Sequence, residues 1–203
     1  PEKGIIIISH GMMEHAKRYD PIATMFNQAG YHVWAVDHLG HGHAAITTNT
    51  IGHLEKGDRS ILVRSICTLL NRAHDDLPEL PLFLLGHSMG SYIAQQVVAD
   101  TSQHLSGLIL SGTAYDPPWL TQIGKTLCQI STFFMDPKTP APFIHKALFA
   151  PFNKPFEPTT SAIEWLSLNP SNRQQYEEDP LCGQVCSLSF YRELFSMLAT
   201  VYT

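Results

Sequence analysis

The sequence predicts an α/β fold in which a mostly parallel sheet carries helices on both faces. Three observations lead there. Ile5 to Ile8 is an unbroken β-branched run of the kind found in strands buried on both sides. Short apolar strands then alternate with stretches of helical period, and Gly and Pro punctuate the joints.

Ile5 to Ile8 opens into His10-Gly11 and should sit centrally in the sheet. A helical stretch from about Tyr19 to Ala29 stops at Gly30, a C-cap signal, and Tyr31 to Val36 forms the next strand, ending at Asp37. From Ser60 to Ala73 the positions Leu62, Ile66, Leu69, Leu70 and Ala73 keep the helical period, and Pro81 introduces the strand Leu82 to Leu85. A helix from about Ser88 to Ala99 leads to the strand Leu105 to Leu110. The rhythm breaks at residues 115–158, which hold eight of the 14 prolines and six of the ten phenylalanines. Such a segment resists sheet formation yet is too apolar to stay solvated, so it is expected to fold as a lid; the alternative is a satellite core under a long loop. A last helix covers about Phe190 to Ala199. The division expected is a first part of the core at residues 1–114, a lid or cap at 115–175, and a return to the core at 176–203. Pro1 stands almost at the start of a core strand, so N-terminal strands are expected before it and the rest of the core after Thr203.

An apolar share of 44% with 15% charged residues is enough for a buried core and excludes a disordered tail. The net charge of −5, without any Lys/Arg cluster, argues against nucleic acid as a partner. No apolar run reaches the roughly 18 residues of a membrane span, and the N-terminus has no signal-peptide order. Cys67 and Cys128 are isolated, and Cys182 and Cys186 lie one helical turn apart without further ligands. All four read as reduced thiols, Cys182 and Cys186 as part of the core.

Chemistry centres on Gly86-His87-Ser88-Met89-Gly90. At average glycine and serine usage of about 7%, G-x-S-x-G arises by chance in roughly one chain in fifteen of this length, so the motif alone is weak. Here it follows the strand Leu82 to Leu85 and opens a helix, the context in which a sharp turn lifts a serine hydroxyl above the sheet while the glycines relieve crowding. Ser88 is therefore the expected nucleophile. His10-Gly11-Met12-Met13-Glu14-His15 follows the first strand, and the backbone N–H groups of Met12 and Met89 are the expected oxyanion donors. His10 and His15 are expected to orient the loop, since a base here would break the order serine, acid, histidine. Three histidines in Asp37-His38-Leu39-Gly40-His41-Gly42-His43 invite a metal reading, but alternate residues of a glycine-rich loop do not converge on one ion. No metal or other cofactor is expected. His87 should pack away from the hydroxyl.

With these residues in place the chain resembles the monoglyceride lipase and lysophospholipase branch of the α/β-hydrolases, the serine aminopeptidase S33 type. The resemblance rests on His10 to His15 followed by Arg18-Tyr19, on Asp37 to Gly42, on Gly86 to Gly90, and on Trp165-Leu166-Ser167 with Asp179-Pro180-Leu181-Cys182-Gly183. Leu39 stands where that family usually carries Arg. The resemblance implies an α/β-hydrolase fold with a cap inserted after the strand that follows the nucleophile helix. It also implies a triad acid and base beyond Thr203. Ser88, Asp116 and His145 have the right order within the chain, but the family pattern places neither Asp116 nor His145 in the site.

The implied activity is hydrolysis of acyl esters, monoacylglycerols or lysophospholipids, through an acyl-serine intermediate, with residues 1–203 inactive alone. The lid aromatics Trp119, Phe133, Phe134, Phe143, Phe149, Phe152 and Phe156 offer a wall for an acyl chain and a surface for peripheral membrane contact in a cytoplasmic protein. Three alternatives remain open: a short-chain carboxylesterase, an acyl-binding protein without catalysis, and an aminopeptidase using acidic residues such as Glu164, Glu177 and Glu178.

Overall fold

A computed structural model describes residues 1–100, 105–115, 117–156 and 158–201. Strands β1 (Gly4–Ser9), β2 (Tyr31–Ala35), β3 (Leu82–His87) and β4 (Leu105–Ser111) form one parallel sheet in the order β2-β1-β3-β4. β1 is central, as its unbroken isoleucine run predicts, with Ile7 opposite Trp34 on one side and Leu84 on the other. Period 2 sends alternate residues to opposite faces. Ile5, Ile7, Leu82 and Leu84 join the larger core, whereas Ile6, Ile8 and Leu85 join a smaller one with Tyr19, Phe26 and Phe83. Each fully buried isoleucine contributes about 1.5–3 kcal/mol of transfer free energy.

The helices are α1 (Asp20–Gln28), α2 (Gly42–Thr47), α3 (Arg59–Asp76), α4 (Met89–Asp100), α5 (Pro118–Phe134), α6 (Pro142–Asn153), α7 (Pro170–Glu178) and α8 (Leu188–Val201). α1 supplies Phe26 to the smaller core; α3, α4 and α8 supply Ile66, Ile93 and Phe190 to the larger one. Helices therefore cover both faces. The predicted strands and long helices differ from these only at their ends, while the short helices α2 and α7 carried too little periodicity to be seen.

Residues 115–158 contain no described strand, but they are more regular than their proline content suggests. Pro117 is the N-cap of α5, and Pro118 and Pro142 occupy the first turns of α5 and α6, where a missing N–H costs nothing. These three prolines start helices, while Pro151 is carried inside α6. α5 packs along α8 with Thr121 and Cys128 buried, and the crossing is close. A Cβ at Gly124 would stand 2.7 Å from the Phe195 ring. The opposite side of α5 leaves Trp119, Ile123, Leu127, Ile130 and Phe134 exposed. α8 is tied back to the core through buried Glu193, which accepts the Gly57 N–H at 3.0 Å and pairs with Arg59 and Arg192. Cys182 and Cys186 are buried, as expected, but in irregular chain between α7 and α8 rather than on a helix.

Candidate active site

Ser88 sits between the end of β3 and the start of α4 with φ of +51°, a left-handed conformation costly to a residue with a Cβ, by about 1–3 kcal/mol. Its N–H is anchored to the Ser111 carbonyl of β4 at 2.9 Å, and its own carbonyl accepts from the Ser91 N–H and hydroxyl. The flanking glycines leave no room for side chains. A Cβ on Gly86 would lie 2.5 Å from the Gly90 carbonyl oxygen and 2.7 Å from Ser91 Cα, and one on Gly90 would run into the carbonyl oxygens of Ser9 and His10. Gly90 thus lets α4 settle against β1 as well as β3. Ser88 is partly exposed, at one wall of a cavity of about 660 Å³.

The loop after β1 faces the same cavity. Gly11, Met12, Met13 and Glu14 line it, and a Cβ on Gly11 would stand 3.2 Å from Ser88 Cβ. Glu14 is the organising residue. Its buried carboxylate accepts the Gly11 N–H at 2.6 Å and the Tyr19 hydroxyl at 2.7 Å on one oxygen, and Arg18 at 2.7 Å on the other. Burial first, then the Glu14 charge, pushes the Tyr19 phenol upward and keeps it a donor. Sequence reasoning gave Glu14 no role, although Glu14 and Arg18 stand i,i+4 and might have been paired on that spacing alone. Met13 adopts φ of +59°, and its carbonyl accepts from the Tyr176 hydroxyl and the Gly183 N–H, both at 3.0 Å.

The imidazoles are mostly committed. His10 donates from Nδ1 to the Gly11 carbonyl at 2.8 Å and accepts the His38 N–H at Nε2, so it holds the loop. His15 reaches Asp179 at 2.8 Å. His38 and His41 are buried beside His10 while His43 is exposed, so the three histidines of that loop do not share a centre. Burial, then mutual repulsion, lowers His10, and His38 falls to about 3 by burial and then by His41. His87 departs from expectation: it lines the cavity next to Ser88, with Nδ1 at 3.3 Å from the Ser111 hydroxyl. The sharp turn at Ser88 breaks the strand alternation that would have sent it away. His145 sits against Tyr191 and Phe149 and is not part of the cavity wall. Asp116 lies outside the described residues.

The remaining wall is apolar and draws on six elements. Met89 and Tyr92 of α4, Leu120 of α5, Leu148, Phe149 and Phe152 of α6, and Leu194 and Leu198 of α8 contribute, together with Phe156 and Trp165 from the 3₁₀ turns Lys154–Phe156 and Glu164–Leu166. Of the seven aromatic residues expected to form this wall, Phe149, Phe152 and Phe156 do so. Trp119, Phe133, Phe134 and Phe143 point outward instead, with Phe133 and Phe134 more than four-fifths exposed. Among the described residues Glu14 is the one carboxylate that lines the cavity, and both its oxygens are engaged. Glu164, Glu177 and Glu178 are bonded to Thr160, Ser161 and Gln174 away from it.

The chain is similar to known proteins. The monoglyceride lipase of Rattus norvegicus is 39% identical over 108 residues, 53% of this chain and 34% of its own. The monoacylglycerol lipase of Mycolicibacterium smegmatis is 36% identical over 134 residues, 64% of this chain and 46% of its own. A thermostable carboxyl esterase of Bacillus coagulans, solved with glycerol, superposes with a TM-score of 0.86 at 27% identity, covering 97% of this chain and 64% of the esterase. The chain thus spans between a third and a half of the length of these two curated relatives. Its sheet, its helices on both faces and these likenesses are those of an α/β-hydrolase fold. Residues 1–203 match the family described as serine aminopeptidase, S33, throughout, and the chain belongs to that family.

Proposed function

We propose that the protein hydrolyses acyl esters of lipids, monoacylglycerols or lysophospholipids, with Ser88 as nucleophile. The observation that carries the reading is a serine held at φ of +51° on the wall of an apolar cavity of about 660 Å³. That volume lies within the roughly 300–1,000 Å³ of small-molecule sites. Ser88 Oγ attacks the ester carbonyl and passes its proton to an imidazole supplied from beyond Thr203, itself oriented by a carboxylate from the same region. The N–H groups of Met12 and of Met89, at the first turn of α4, hold the developing oxyanion. The alcohol departs with the proton, and water releases the acyl group from Ser88. No cofactor enters these steps. Relatives named for monoglyceride and monoacylglycerol hydrolysis support the substrate class. An aminopeptidase gains no support, because the one carboxylate at the described cavity wall is already spent on Gly11, Tyr19 and Arg18.

The cap of residues 115–175 is also read as a peripheral membrane contact. Residues 117–156 carry four lysines and one aspartate, a net +3 within a chain of net −5, so the exposed apolar side of α5 lies in a cationic segment of an acidic protein.

The test uses full-length protein, a fluorophosphonate label, and p-nitrophenyl esters of increasing acyl length. Loss of labelling and turnover in Ser88→Ala supports the serine mechanism, and an optimum at long chains supports a lipase. An optimum at acetyl or butyryl gives a short-chain carboxylesterase. A folded wild type that neither labels nor turns over leaves an acyl-binding protein.

A further inference from the structure

At the loop that follows β1, outside the cavity wall, lies a side-chain cluster that the proposed ester hydrolysis does not use. His15 Nε2, an Asp179 carboxylate oxygen and Cys182 Sγ all lie within 4.8 Å of one another. They come from two segments 164 residues apart, joined by the 2.8 Å contact between His15 and Asp179 Oδ2. We infer that His15, Asp179 and Cys182 form a binding site for a divalent transition metal of the zinc type.

One imidazole, one carboxylate and one thiol make a ligand set suited to Zn²⁺, at about 2.0–2.1 Å for nitrogen, 2.0–2.2 Å for oxygen and 2.3 Å for sulfur. Tetrahedral bonds of those lengths place ligand atoms about 3.3–3.7 Å apart. The His15 to Asp179 separation therefore opens by roughly half an ångström to admit the ion. The supporting contacts are already in place. Asp179 Oδ1 accepts the Leu181 N–H at 2.8 Å, which leaves Oδ2 directed at His15. The Cys182 N–H donates to the Asp179 carbonyl at 3.0 Å and fixes the turn that carries the thiol. On the other strand of chain, the Met13 carbonyl is gripped by Tyr176 and Gly183, so His15 projects from a fixed loop. His15 and Cys182 are buried, whereas Asp179 is partly exposed and marks the way in for the ion and for a water as fourth ligand. On binding, Cys182 gives its thiol proton to solvent as the Zn–S bond forms, and the proton held between His15 Nε2 and Asp179 Oδ2 is displaced to solvent or to Nδ1, so that both atoms can face the ion. The site then carries one thiolate and one carboxylate against a 2+ ion.

The inference does not depend on the esterase reading, and its readout is metal binding. Full-length protein is titrated with Zn²⁺ against a chromophoric zinc indicator, and separately with Co²⁺, whose thiolate charge-transfer absorption reports sulfur ligation. The expected result is one Zn²⁺ bound with micromolar or tighter affinity, together with a cobalt–thiolate band. Cys182→Ser removes the band, and His15→Gln weakens binding by about 100-fold or more. Asp179→Asn preserves the shape of the His15 contact, guards against misfolding, and weakens binding by about 10–100-fold. Cys186→Ser leaves binding unchanged. Failure of wild type to bind, absence of the band, or binding that survives both Cys182→Ser and Asp179→Asn overturns the assignment; the last would place the ion elsewhere, as among His10, His38 and His41.

Discussion

Replacing Glu14 by alanine separates the elbow from the loop that faces it. Three hydrogen bonds disappear, from the Gly11 N–H, the Tyr19 hydroxyl and the Arg18 guanidinium, all at 2.6–2.7 Å. Bonds to a charged group contribute about 1.5–3 kcal/mol each before water refills the space. Breaking one side of a largely buried ion pair costs about 3–5 kcal/mol, and we take that range for the net loss. At the 2–4 °C per kcal/mol of domains of about 150–250 residues, that lowers the unfolding midpoint by at most roughly 6–20 °C, and by less in a larger domain. The kinetic effect is separate. Gly11 precedes Met12, the proposed oxyanion donor, so loss of its anchor lowers kcat by about 10²–10³. KM should change little, because the proposed acyl chain would be held by the apolar wall. Glu14→Gln keeps one oxygen for Gly11 and Tyr19 and is expected to cost only about 1–2 kcal/mol. Thermal unfolding and p-nitrophenyl ester kinetics on the full-length protein read both effects. A Glu14→Ala protein within about 1 kcal/mol of wild type and with undiminished kcat would refute the idea that this carboxylate sets the loop.

Ser88→Gly should end labelling yet stabilise the fold by about 1 kcal/mol, since glycine tolerates a φ of +51° without strain; urea unfolding decides it. Stability should also fall in mild acid. His10, His38 and His41 are held neutral in the fold by burial, so below about pH 6.5 the unfolded chain takes up protons that the native chain refuses, and stability drops toward the His38 value of about 3. Urea midpoints from pH 8 to 4 should be flat above pH 7 and decline below it, a decline that His38→Gln lessens. Finally, flotation with vesicles should recover the protein from anionic lipid better than from zwitterionic lipid, and Lys125→Glu with Lys138→Glu should abolish the difference.

The parts of the fold written in local sequence were legible. The isoleucine run placed β1 in the centre, and a glycine-flanked serine between an apolar strand and a helix located the sharp turn. What escaped depends on distant partners. His15 meets Asp179 across 164 positions, and nothing near either residue announces the other. The aromatic residues of the cap were visible as a group, but their direction was not. α5 turns Thr121 and Cys128 inward because Gly124 lets it lie against Phe195, and this choice sends Trp119 and Phe134 outward. A proline at the first turn of α5 and of α6 was a helix signal that composition alone concealed.

The close crossing at Gly124 has a mechanical meaning. α5 rests on α8, and α8 is fastened to α4 where Gln96 reaches the Met197 carbonyl at 3.1 Å and the Thr200 hydroxyl at 2.7 Å. α4 in turn begins next to Ser88. Tilting α5 away would uncover Thr121 and Cys128 and drag on the helix that begins next to Ser88, so α5 behaves as a fixed jamb. α6 with the 3₁₀ turns after it touches the core more sparingly, through Ile144, Leu148, Phe149 and the His145 contact to Tyr191. Were the proposed acyl chain to enter at that edge, the alignment of the elbow would stay undisturbed.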